Sequence, residues 1–131
     1  MKIYLAAAFS RRDELKAYRD KLVADGHTVT SSWLDCEWGS QGYASTHCPP
    51  DQRAAWVQRD LGDIDSCDTV ISFTEPVGST GGRRGGRHVE FGYALALGKR
   101  LILVGEPENL FHHHPSVIAV GSFMDVELVS C

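Results

Sequence analysis

Several features of common protein classes are missing from this chain of 131 residues. No apolar run approaches the ~20 residues that span a bilayer, so no membrane partner is predicted. The apolar part of the N-terminal MKIYLAAAFSRRDEL is too short for a signal peptide. The net charge is only −4, which argues against duplex nucleic acid as a partner. We therefore expect a cytoplasmic protein.

Metal-binding and nucleotide-binding motifs are also missing. The cysteines form no CxxC pair, so a structural zinc site is not expected. Cys36 and Cys48 flank one loop and could pair. Without a secretion signal, however, these two cysteines are interpreted as free thiols, as are Cys67 and Cys131. Neither GxGxxG nor GxxxxGK[ST] occurs, which excludes a dinucleotide-binding fingerprint and a P-loop. No metal or organic cofactor is predicted.

Short apolar runs alternate with helical periods along the chain. Strands are predicted at residues 2–7, 27–33, 68–73 and 100–104, with a weaker fifth candidate at 116–120. Helices are predicted at residues 11–25, 51–66 and 87–97. This alternation predicts a parallel sheet covered by helices on both faces. The fold class is therefore α/β: a flavodoxin- or Rossmann-like three-layer sandwich with a mostly parallel five-stranded sheet, in one domain of residues 1–131.

Three other segments have patterns that predict a structural role. The second helix has an apolar stripe of Ala54, Val57, Leu61 and Ile64, which predicts its buried face. The long loop 34–50 contains Trp38, Tyr43 and His47 and is interpreted as a lid that stacks on a ligand. The run His112, His113 and His114 cannot face one metal ion from a helix or strand, so a polar loop is favoured.

Ligands of such sheets bind beyond the carboxyl ends of the strands. The first strand leads into AAAFSRR, where Ser10 and two arginines precede a helix and offer a site for one phosphate or carboxylate. In the alternative interpretation Ser10 is only the N-cap of that helix.

The segment GGRRGGRHVEFGYALALGK, residues 81–99, is a second candidate site. Glu90 is predicted in the first turn of its helix, where the dipole favours a carboxylate that could act as a nucleophile at a sugar carbon or as an ion-pair partner. An ordinary first-turn glutamate is the alternative. Arg83, Arg84 and Arg87 either hold a phosphate or form a solvated loop, and Gly86 permits close approach of a ligand.

The third candidate is Asp60, in QRDLGDIDSCD. Asp60, Asp63 and Asp65 crowd one helix, where like charges cost stability, so some are retained for a task. Asp63 and Asp65 are interpreted as a solvated acidic face.

Three segments carry a family resemblance: KIYLAAAF, QRDLGDIDSCDTVISF and GGRHVEFGYALALGKRLILV. They resemble the nucleoside 2-deoxyribosyltransferase superfamily, which includes the 2′-deoxynucleoside 5′-monophosphate N-hydrolases. The last segment is the most specific, because the family places its nucleophilic glutamate in a Gly-x-x-x-Glu-x-Gly context before a small-residue helix and Gly-Lys. The resemblance covers most of the chain.

The resemblance implies roles for individual residues. Glu90 would be the nucleophile at the anomeric carbon, Asp60 would assist departure of the base, and Tyr4 would lie beside the nucleophile. Ser10 and Arg11 fall where the monophosphate hydrolases hold the 5′-phosphate. The other predicted substrate-binding residues are Phe9, Arg84, Gly86 and Arg87.

The resemblance also implies an activity: cleavage or exchange of the N-glycosidic bond of a 2′-deoxynucleoside or its 5′-monophosphate, through a covalent glycosyl-glutamate intermediate. A strict 5′-monophosphate N-hydrolase and a non-catalytic nucleotide-binding module are the alternatives. The arginines before Glu90 stand where transferases of plain nucleosides tend to carry an acidic residue, which favours a phosphorylated substrate. Family members complete their sites across a subunit interface, so a homodimer or larger homo-oligomer is implied.

Overall fold

The computed structural model describes residues 1–36, 49–79 and 85–128. Its strands form one parallel five-stranded sheet in the order β2-β1-β3-β4-β5, which confirms the predicted fold class. The order is the one that flavodoxin-like proteins use. The strands are β1 (Lys2–Ala6), β2 (Thr28–Val29), β3 (Thr69–Phe73), β4 (Arg100–Val104) and β5 (Val117–Val120).

Three α-helices connect these strands. They are α1 (Arg12–Ala24), α2 (Pro50–Ser66) and α3 (Gly86–Ala96). Because parallel crossovers are right-handed, α1 covers one face of the sheet, and α2 and α3 lie side by side on the other. None of the described helices is both long and apolar enough to cross a membrane.

The core lies on both sides of the three central strands, β1, β3 and β4. All residues of β3 are buried, which explains why TVISF reads as a continuous rather than an alternating pattern. On the α1 side, the Tyr18 ring stacks on Phe73 and Phe123 at centroid distances of 5.4 and 4.2 Å. These contacts fix α1 against the carboxyl end of β3.

The strand predicted at residues 27–33 is wrong beyond Val29, because the chain turns into a 3₁₀ helix at Ser32–Asp35. Side chains take over the hydrogen bonds that a longer strand would make. The Trp33 indole N–H donates to the Leu5 carbonyl at 2.8 Å, and the Ser31 hydroxyl accepts from the Leu5 N–H. A longer parallel pairing of β2 with β1 is therefore not needed to satisfy the backbone of β1.

The predicted apolar stripe of α2 is only partly buried. Ile64 is fully buried and Leu61 is half-buried, whereas Ala54 is exposed and Val57 is 58% exposed. A helix of 17 residues is about 25 Å long, whereas a strand of five residues spans about 17 Å. The helix is thus longer than the strands it covers, and only its C-terminal part packs on the sheet.

Gly105 closes the turn after β4, and we expect Gly105→Ala to destabilise the protein by about 2–4 kcal/mol. Its φ is +110°, and an added Cβ would lie 2.1 Å from the Thr74 hydroxyl oxygen. Urea unfolding measures the effect. The matched control is Gly62→Ala within α2, where no described atom would lie within 4 Å of the added Cβ, and it is expected to be neutral or to stabilise by about 0.5–1 kcal/mol. Equal midpoints for the two variants would contradict the expectation.

Candidate active site

The centre of the site is a hydrogen bond between Tyr4 and Glu90. Tyr4 is fully buried in β1, and its hydroxyl donates to Oε2 of the Glu90 carboxylate on α3. The helix begins at Gly86, so Glu90 lies in its second turn and the prediction of a first-turn position is wrong. Because the dipole effect falls off within the first turn, the environment of the carboxylate is set mainly by its neighbours.

Those neighbours push the Glu90 carboxyl towards its protonated form. Burial raises the pKa of Glu90 to about 7, and the negative charge of Asp60 adds to the increase. The Tyr4 hydrogen bond and the Arg59 guanidinium act in the opposite direction. Burial and the charges of Glu90 and Asp60 also raise the pKa of Tyr4, so the phenol remains a hydrogen-bond donor.

Asp60 approaches the same centre from α2. Burial raises the pKa of Asp60, and the neighbouring guanidinium of Arg59 opposes this increase. Arg59 donates from Nε and Nη2 to Asp60 Oδ1 at 3.1 and 2.8 Å. The structure thus brings together Tyr4, Asp60 and Glu90, each predicted from a different segment. Arg59 was not predicted, although its place beside Asp60 in QRDL was the available signal.

The raised pKa of Glu90 leads to a prediction about stability and pH. Glu90 binds its proton more tightly in the folded state, so its contribution is fully present below about pH 4.5 and is lost as pH rises through about 7. We expect Glu90→Gln to be more stable than the natural chain at pH 8, by about 2–3 kcal/mol, with a much smaller difference at pH 5.

Urea unfolding at both pH values measures this difference. The exposed Glu106, replaced by glutamine, is the matched control for the chemical change from carboxylate to amide. A Glu90→Gln variant that is less stable than the natural chain at pH 8 would contradict the assigned burial.

The loop after β1 carries Phe9, Ser10 and Arg11. Phe9 is 37% exposed and lies against Trp33 at a centroid distance of 5.9 Å. Ser10 is exposed and lies within the 3₁₀ turn Phe9–Arg11. The alternative that Ser10 caps the first helix is wrong, because Arg11 occupies the N-cap position of α1 and makes no side-chain cap hydrogen bond.

Arg11 points towards the loop after β3. Its guanidinium donates to both Glu14 carboxylate oxygens at 3.0 and 2.7 Å and to the Thr74 carbonyl at 2.7 Å. It also lies 3.7 Å from Glu75 Oε1 and lines an open cavity of about 320 Å³, together with Phe73 and other residues. Two carboxylates therefore already neutralise this predicted phosphate ligand.

Arg87 is also occupied within the protein. Its side chain is 6% exposed, and Nη2 donates to Glu108 Oε2 at 2.8 Å. Its Nε is buried and has no hydrogen-bond partner among the residues that the structure describes. Gly86 is the exposed first residue of α3. The predicted ligand Arg84 lies outside the described residues, as do Arg83 and the predicted lid residues Trp38, Tyr43 and His47.

The interpretation of Asp63 and Asp65 as a solvated acidic face is incomplete: Asp65 is exposed and Asp63 is half-buried, but both also bind neighbouring elements. Asp63 accepts hydrogen bonds from the N–H and the hydroxyl of Ser32, and Asp65 accepts from the Tyr93 hydroxyl at 2.6 Å. Both aspartates thus hold α2 to neighbouring elements.

The histidine run divides in the structure, since His112 is buried and His113 and His114 are exposed. Among residues 1–36, 49–79 and 85–128, no three His, Cys, Asp or Glu side chains are placed to hold a metal ion.

Comparisons with solved structures identify the fold. The chain is similar to a 2-deoxyribosyltransferase from Bacillus psychrosaccharolyticus, with 25% identity and a TM-score of 0.62 over 85% of this chain and 79% of the other. It is also similar to a CMP N-glycosidase from Clostridium botulinum, with 23% identity and a TM-score of 0.57 over 92% of this chain and 88% of the other. The chain has the fold of the nucleoside 2-deoxyribosyltransferases. The resemblance seen in the sequence is thereby confirmed.

No protein-family model matches the sequence, and no curated protein matches it significantly. The similarity to known proteins therefore rests on solved structures, of which one is a glycosidase and one a glycosyl transferase.

Proposed function

We propose that this chain is a nucleoside 2-deoxyribosyltransferase-like enzyme that cleaves or exchanges the N-glycosidic bond of a 2′-deoxynucleoside or its 5′-monophosphate. The observation that carries the proposal is the Tyr4 hydroxyl bound to the Glu90 carboxylate, with Asp60 beside it. A carboxylate with one oxygen held by a donor and the other available is suited to attack on an anomeric carbon.

In the first step, Glu90 is in its ionised form, and the carboxylate oxygen that does not bind Tyr4 attacks the anomeric carbon of the sugar. The bond between that carbon and the base nitrogen breaks, and its electron pair goes to the base. Protonated Asp60 gives its proton to the departing base, and a glycosyl ester of Glu90 remains. The raised pKa of Asp60 supports this role, because burial favours the protonated carboxyl that a general acid requires.

In the second step, Asp60 takes a proton from an incoming base or water, which attacks the same carbon and releases Glu90. An incoming base gives a transferase and water gives a hydrolase, and both retain configuration. The similarity to an N-glycosidase favours hydrolysis as the second candidate. The proposal includes no metal or organic cofactor. The proposal also includes a cytoplasmic location and a homo-oligomer of two or more chains. Sedimentation in solution tests the oligomeric state.

One incubation distinguishes these activities. The protein is mixed with deoxynucleosides, their 5′-monophosphates and CMP, with and without an acceptor base, and the products are separated by chromatography. A new nucleoside indicates exchange, and free base with sugar or sugar phosphate indicates hydrolysis. Binding without product would replace the proposal with a nucleotide-binding module.

The 5′-phosphate is tested in the same assay. Because Arg11 is already bound by Glu14, a preference for monophosphates would rest on the exposed Ser10 and on arginines such as Arg84. A ratio of kcat/KM for the monophosphate to that for the nucleoside near one would mean that the 5′-phosphate is not recognised.

A further inference from the structure

Glu108, in the loop after β4, joins three segments around the start of α3. Its Oε2 accepts from Arg87 on α3 at 2.8 Å, and its Oε1 accepts from the backbone N–H of Glu75 in the loop after β3 at 3.1 Å. Both carboxylate oxygens thus have partners on different elements. A carboxylate that binds two segments at once fixes the distance between them.

Arg87, which binds Glu108, lies about one helical turn before Glu90 on α3. Arg87 is buried, and its Nη1 is also 2.6 Å from Nε2 of the His88 ring. A buried guanidinium that loses its carboxylate leaves an uncompensated charge, so the first turn of α3 would have to move to bring it to water. The position of Glu90 on the next turn would change with it.

A second set of contacts reaches the next turn of α3 on the same face of the helix. The Glu108 N–H donates to His112 Nδ1 at 2.9 Å, and the buried His112 ring meets the edge of Phe91 at a centroid distance of 4.9 Å. Phe91 is the residue next to Glu90. The segment from Glu108 to His112 therefore contacts α3 both before and after Glu90 along the chain.

We propose that Glu108 is a positioning residue, which holds the start of α3 so that the Glu90 carboxylate meets the Tyr4 hydroxyl. The proposal rests on the proposed function insofar as Glu90 is the nucleophile, but the geometric part stands on the contacts alone. Displacement of a reacting group by about 1 Å can cost on the order of a hundredfold in rate, so the effect should appear in turnover rather than in substrate binding.

The test compares Glu108→Gln with Glu106→Gln, an exposed glutamate of the same loop. Glu108→Gln removes the charge opposite Arg87 with little change of shape. We expect kcat to fall at least about tenfold with KM within twofold of the natural value, and Glu106→Gln to change neither. If Glu108→Gln does not fold, Arg87→Lys, which keeps the buried charge but loses the forked geometry, is measured in the same way.

A second readout does not depend on turnover. The groups that face Glu90 are Tyr4, Asp60 and Arg59, and all three remain in Glu108→Gln. If the Tyr4 hydrogen bond loosens, ¹³C NMR of the Glu90 carboxyl carbon should show its pKa rise by about half a unit, because that bond lowers it. The same titration of Glu106→Gln should match the natural chain.

The outcomes separate the two proposals. An unmoved Glu90 titration in Glu108→Gln overturns the positioning role, as does a kcat within twofold of the natural value in an active protein. An inactive natural chain overturns the proposed function, and the titration alone then decides whether Glu108 places Glu90.

Discussion

Glu90→Gln is expected to release base at least about a thousandfold more slowly than the natural chain, which is the scale of losing a nucleophile. The amide cannot form a stable glycosyl ester. Its oxygen can still accept the hydrogen bond from the buried Tyr4 hydroxyl, so the packing of α3 on β1 should be kept. Single-turnover base release, followed by chromatography, measures the effect.

The covalent intermediate provides an independent check on this variant. The natural chain, stopped with acid during turnover without acceptor, should carry the sugar on the peptide that contains Glu90, as seen by mass spectrometry. Glu90→Gln should carry none, and Glu106→Gln should behave as the natural chain does. Activity retained in Glu90→Gln, or an adduct on another residue, would remove Glu90 from its proposed role.

Asp60→Asn is expected to slow base departure about a hundredfold or more, the scale of losing a general acid. Asparagine keeps an oxygen for the Arg59 hydrogen bonds but has no proton of suitable acidity to give to the base. The loss should depend on the leaving group. A 4-nitrophenyl 2-deoxyriboside, whose leaving group needs no proton, should be cleaved by the variant at nearly the natural rate.

Asp63→Asn is the matched control for this substitution, since Asp63 lies one turn further along α2 and binds Ser32. It is expected to lower stability slightly without changing the dependence of the rate on the leaving group. A uniform loss in Asp60→Asn, equal for natural base and nitrophenol, would mean that Asp60 orients the substrate rather than protonating the base.

The strands and helices were largely predictable because their signals are local. TVISF and RLILV are buried runs, and the helices follow apolar periods. The failures come from contacts between distant residues. The strand at 27–33 ends early because Ser31 and Trp33 bind the backbone of Leu5, which lies 26 and 28 residues away along the chain, and no local pattern contains that information.

In the candidate site, likewise, the residues themselves were predictable but their contacts were not. Tyr4, Asp60 and Glu90 were named from motifs, and the structure places them together. Their surroundings were not predictable, because a sequence shows that Arg87 is charged but not that Glu108 lies against it. For the same reason, the pattern suggested a phosphate ligand at Arg11, whereas Glu14 and Thr74 occupy its guanidinium in the structure.

The two edge strands of the sheet, β2 and β5, differ in how readily a strand of another molecule could pair with them. At one border, β2 pairs through only two residues, which gives an incoming strand almost no ladder to extend. At the other, β5 presents four residues, including the 45% exposed Ile118. Aggregation by edge-to-edge strand pairing is therefore expected to begin at β5, and Ile118→Lys is the simplest substitution to oppose it.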